Sequence, residues 1–107
     1  MMKLKRPFWD FVKDGSKPFE LRLNDKKWDD YQVGTTVCFI SLENPENTFM
    51  KTIVSRTVYD DFPSAIAAVG FEKCMPNMRS FDDTVEEYRN IADYRSRESH
   101  GVIVFGL

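Results

Sequence analysis

The sequence predicts an α+β fold, a small, mainly antiparallel β-barrel of five or six strands with two to four short flanking helices. Three observations carry this expectation. At 107 residues the chain has length for one domain, residues 1–107, because two independent cores would each need roughly 50 residues or more. Its strand-like and helical stretches do not alternate as a parallel doubly wound sheet requires. A last apolar run, separated from the others by helical stretches, can pair back into the sheet and remove an exposed edge.

Met2 to Leu4 is too short to assign from its pattern. Pro7 opens a helical stretch in which Phe8, Phe11 and Val12 share a face, and Gly15 is placed to cap its C-terminus. In PFELRLN, Phe19, Leu21 and Leu23 alternate with Glu20, Arg22 and Asn24, the pattern of a half-buried strand. Asn24 to Tyr31 predicts a short helical turn. Thr35 to Leu42 is rich in β-branched and aromatic residues and reads as a strand, with ENPEN as a hairpin loop behind it. Thr48 to Tyr59 is one bent strand, or two joined at Ser55-Arg56, returning as the second hairpin arm.

Phe62, Ile66 and Val69 recur at helical spacing between Asp61 and Gly70, which predicts two turns from Pro63 to Val69. FEKCMPNMR reads as irregular around Pro76. Ser80 followed by Asp83 resembles a capping box, and Phe81, Val85, Tyr88 and Ala92 extend one face of a helix from about Phe81 to Tyr94. Val102 to Leu107 is the closing strand.

Composition narrows the function classes. With 42% hydrophobic, 14% aromatic and 30% charged residues the chain can fill a core, which excludes disordered and fibrous classes. A net charge of −2 provides no global positive field for holding nucleic acid nonspecifically, so any such site is local. No apolar stretch reads as a secretory signal or a membrane span. Cys38 and Cys74 form no disulfide framework, and they and the lone His100 have no partners at zinc-ligand spacing. The expectations are therefore a cytoplasmic protein with no membrane, metal or cofactor.

The densest set of functional residue types is GSKPFELRLND, at a helix-to-strand junction. A strand from Phe19 sends Glu20 and Arg22 out on one face about 7 Å apart, with Lys17 in the preceding loop free to swing toward them. A guanidinium held by a carboxylate can stack on or pair with a base or phosphate. The alternative is a solvated strand face with surface ion pairs worth ~0–1 kcal/mol.

GSKPFELRLND, followed by VGTTVCF, resembles the GxKxxExR signature and trailing strand of the ASCH domain family, a branch of the PUA-like fold. MKLKRPFWDFVKDG is similar to the family's opening strand and helix, and YRSRESHGVIVFGL to its closing elements. The resemblance implies a small β-barrel with a motif-lined cleft that binds RNA or a modified nucleoside. Lys17, Glu20 and Arg22 match the family's lysine, acidic and arginine positions, and the ligand-binding candidates are Lys17, Glu20, Arg22, Asn24 and Trp28.

One branch of the family contains small amidohydrolases acting on acylated cytidine such as N4-acetylcytidine. Lys17 and Glu20 would be the catalytic candidates in that case. That branch carries Thr where this chain has Glu20, so its hydroxyl-nucleophile mechanism does not transfer. Gly34-Thr35 also stands in place of the more usual Gly-Asp, and Glu72 is the nearest counterpart of a helical acid.

Other signals have simpler readings. Asp82, Asp83, Glu86 and Glu87 occupy early helical turns, where acids favour the macrodipole, although the acidic helix also suits a protein-interaction module. Met75 to Arg79 reads as a connecting loop that could cover a cleft. Of the aromatics, Trp28 and Tyr31 are cleft candidates. Residues 1–30 hold eight Lys or Arg against six Asp or Glu, and the remainder seven against eleven. A local cationic excess of this size suits a short or single-nucleotide ligand better than a long duplex. No protein partner is indicated.

Overall fold

Six strands and five short helices make up the chain, described over residues 1–107 by a computed structural model. Their order is β1 (Met2–Leu4), α1 (Phe8–Asp14), β2 (Phe19–Leu23), β3 (Thr36–Ser41), β4 (Thr48–Thr52), β5 (Ser55–Tyr59), α2 (Phe62–Val69), α3 (Phe71–Cys74), α4 (Phe81–Arg89), α5 (Tyr94–Arg97) and β6 (Val102–Gly106). The strands lie in two three-stranded sheets ordered β1-β3-β4 and β2-β6-β5, rather than in one closed barrel. All ladders are antiparallel except β1 with β3.

The sheets are joined where β4 meets β5. Ile53 donates its amide to Thr35 O at 2.9 Å on the first sheet, and the next amide, Val54 N–H, donates to Gly106 O at 2.8 Å on the second. The run expected to bend at Ser55-Arg56 thus changes sheets two residues earlier. Its second half pairs with β6, so only β4 completes the hairpin with β3.

The closing strand expected at Val102 to Leu107 forms as β6 and pairs back into the sheet. It lies between β2 and β5 at the centre of its sheet, and every residue from Val102 to Gly106 is buried. The loose alternation of VIVFG is the signature of a strand covered on both faces. Val102 and Val104 join Leu21 and Leu23 of β2 in a core under α2, α3 and α4, with Phe62, Ala65, Ile66, Val85 and Tyr88. Ile103 and Phe105 face the other way, into a second core with Met2, Leu4, Trp9, Val37 and Phe39. β2 is therefore buried on both sides as well, which overturns the half-buried expectation.

Helix ends follow local chemistry. Gly15 caps α1 in the left-handed region at φ 87°. Asp61 accepts the Ser64 amide at 2.8 Å, and Ser80 Oγ accepts the Asp83 amide at 3.1 Å. The helix expected to reach Tyr94 stops at Arg89, because the backbone turns through Asn90 and a positive φ of 37° at Ala92 before α5 begins. α3 and α5 are single turns that the sequence pattern did not separate from loops.

Candidate functional site

A cleft of about 350 Å³ opens between β1, β2 and the end of α4, within the size range of small-molecule sites. Lys17, Glu20 and Arg22 line it, together with Lys3 and Lys5 from the β1 segment and Asn90, Ile91, Ala92 and Tyr94 from the α4–α5 turn. The structure thus brings three motif residues together, with partners far away in sequence.

Lys17 does not swing freely. It is 2% exposed, and its Nζ donates to Phe19 O at 3.0 Å, to Tyr88 Oη at 3.0 Å and to Cys74 O. Those bonds occupy all three ammonium protons and tie β2 to α3 and α4. Burial pushes the Lys17 ammonium below the ordinary lysine range, while Glu20, 4.0 Å away, opposes the shift. The three acceptors and the nearby carboxylate nevertheless favour the charged form.

Glu20 lies opposite Phe105 and Arg22 opposite Ile103 in the β2-β6 ladder, so both side chains emerge on the face that meets the first sheet. This is why an acid can be 4% exposed on a strand whose pattern looked solvent-facing. The surface ion-pair reading is excluded by that burial. Arg22 Nη2 donates to Lys3 O at 3.3 Å, its guanidinium lies 5.4 Å from the Trp28 ring centre, and its Nε is 3.8 Å from Glu20 Oε1. Two buried polar atoms here lack any hydrogen-bond partner, Glu20 Oε2 and Arg22 Nε. A third, Arg56 Nε, lies outside the cleft.

Trp28 and Asn24 do not line the cleft. Trp28 is buried in the inter-sheet core, packed edge-on against Tyr31, and its contact with the ligand candidates is through Arg22. Asn24 is exposed, and its amide donates to Gly101 O at 2.9 Å, extending the β2-β6 ladder. Met75 alone of the Met75–Arg79 loop reaches the cleft, and Glu72 does not.

Tyr88 and Tyr94 were not singled out as site residues. Both stack on Phe62, at 5.2 Å and 5.9 Å with interplanar angles of 13° and 12°. Burial raises the pKa of each hydroxyl, with Glu20 adding to the effect at Tyr88 and Arg22 opposing it at Tyr94. Burial also pushes the Cys74 thiol up to about 11, which removes it as a nucleophile near neutral pH. The sequence signal for Tyr88 was its place on the apolar face of α4, but nothing local linked it to Lys17.

The model of the ASCH domain family matches residues 2–105. The chain belongs to the ASCH domain family. Two solved structures share its fold. One is the crystal structure of hypothetical protein PH0355, 24% identical, with a TM-score of 0.81 over 98% of this chain and 93% of that one. The other is the solution structure of protein PF0455 from Pyrococcus furiosus, 22% identical, with a TM-score of 0.74 over 98% and 91%. No curated protein matches the sequence. No helix of this ASCH protein is long and apolar enough to cross a membrane.

Proposed function

We propose that this ASCH domain, acting as a single cytoplasmic unit, binds RNA or a modified nucleoside in the cleft lined by Lys17, Glu20 and Arg22. The observation that carries the reading is the pair of unpartnered polar atoms there, an acceptor at Glu20 Oε2 and a donor at Arg22 Nε. A buried polar group without a partner costs about 1–3 kcal/mol, and more when charged, so a ligand that pairs both groups recovers that cost. Nucleobase edges carry donors and acceptors side by side; an arginine donates to guanine acceptors, and a carboxylate accepts from the cytosine amino group. Phe8, Tyr88 and Tyr94 add aromatic surface to the same cleft.

Lys17 acts in this reading as a buried cation beneath the site. It fixes β2 against α3 and α4 and keeps a positive field beside Glu20. Hydrolysis of an acylated nucleobase is the weaker reading, because the three acceptors around Lys17 leave it no free role as a base. The test is a screen of the isotopically labelled protein by amide NMR against modified nucleosides and short single-stranded RNAs. Saturable shifts concentrated at Glu20, Arg22 and the Asn90–Tyr94 turn are expected. Shifts confined to another face would overturn the reading.

A further inference from the structure

The mouth of the cleft is charged asymmetrically. Lys3 and Lys5 line it from the β1 side, both exposed, and neither ammonium takes part in an ion pair. The neighbouring cation is different, since Arg6 is paired with Asp10 at 3.2 Å. Lys3 lies within β1, whereas Arg6 lies in the turn that leads from β1 into α1. On the α4 wall the lining charge is Glu87, half-buried and also without an ion pair.

Building on the proposed base-binding role of the cleft, we infer that its ligand is a phosphorylated nucleoside, with the phosphate held by Lys3 and Lys5. The base site and the lysines are physically joined, because the Lys3 carbonyl accepts from Arg22 Nη2. A base reaching the Glu20–Arg22 pair therefore leaves its sugar and phosphate near the β1 lip. Glu87 repels phosphate from the opposite lip and is suited to accept from ribose hydroxyls, which fixes the ligand's direction. Two ammonium groups on one phosphate form charge-assisted bonds that a free nucleoside cannot make.

Calorimetric titration of the four common ribonucleosides and their 5′-monophosphates into wild type, Lys3→Gln/Lys5→Gln and Glu20→Gln tests this. The expected result is that the best-binding monophosphate exceeds its nucleoside by about tenfold. That advantage should vanish in the double lysine variant and shrink with added salt, while Glu20→Gln should weaken nucleoside and monophosphate alike. Equal binding of nucleoside and monophosphate, or an advantage that survives the double substitution, overturns the phosphate assignment and leaves the base site standing. Absence of binding by all eight compounds also overturns the phosphate assignment, while the base site stands or falls by the screen of modified nucleosides and single-stranded RNAs.

Discussion

Lys17 shows most clearly how a residue's role depends on partners the local sequence cannot reveal. As a member of GSKPFELR it reads as a mobile surface cation; in the fold it is buried beneath Phe19, Cys74 and Tyr88. Lys17→Met should destabilise the protein by roughly 3 kcal/mol or more, because two backbone carbonyls and a tyrosine hydroxyl lose their donor and Glu20 loses one of its two neighbouring cations. Urea denaturation checks it, and a change within 0.5 kcal/mol would contradict the account. Glu20 and Arg22 were legible as a pair from strand alternation, whereas their burial was not, since it depends on β1 covering their face. Release of acetate from N4-acetylcytidine should be weak or absent in wild type and in Lys17→Ala. Glu20→Thr, which places a hydroxyl at this position, is the gain-of-function test, and no turnover is expected because Lys17, held by three acceptors, is not free to act as its base. Robust wild-type turnover abolished by Lys17→Ala and Glu20→Ala would favour the hydrolase reading.

Most elements were legible because capping and alternation act locally. Asp61, Ser80 and Gly15 mark helix ends that the structure bears out. Sheet membership was not legible, because the switch at Ile53-Val54 and the central position of β6 depend on partners far apart in sequence. Ser80→Ala should cost about 1 kcal/mol through loss of the Asp83 amide's acceptor. Gly101→Ala should cost at least about 1 kcal/mol, since φ is 97° there and an added Cβ would meet Tyr59 O at 3.2 Å. Thermal denaturation measures both.

Glu98 ties three elements together, accepting the Phe62 amide at 2.9 Å and pairing with Arg89 at 2.7 Å. Its Arg89 hydrogen bond holds the carboxyl below the ordinary glutamate range, against the opposing effect of burial. A carboxyl depressed in the folded state contributes stability above its unfolded value of about 4.3, and that contribution is lost as pH falls through the folded value. Wild type should therefore lose stability on acidification more steeply than Glu98→Gln. Parallel curves would contradict the assignment.

Across the whole molecule, the two cores on either side of β2 and β6 hold the motif between them, so the cleft is shaped by packing remote from it. The family assignment rests on the model match over residues 2–105, and the two structural neighbours carry the fold alone. The cations lining the cleft are Lys3, Lys5, Lys17 and Arg22, with Lys17 buried beneath it, so RNA affinity should fall with salt by a shallow slope, matching two or three phosphates. The most direct test of the central claim is the affinity of wild type and Arg22→Ala for the best-binding RNA or modified nucleoside at moderate salt. The account predicts binding by wild type and a loss of about tenfold or more in Arg22→Ala, with its circular dichroism unchanged; equal affinity of the two proteins would contradict it.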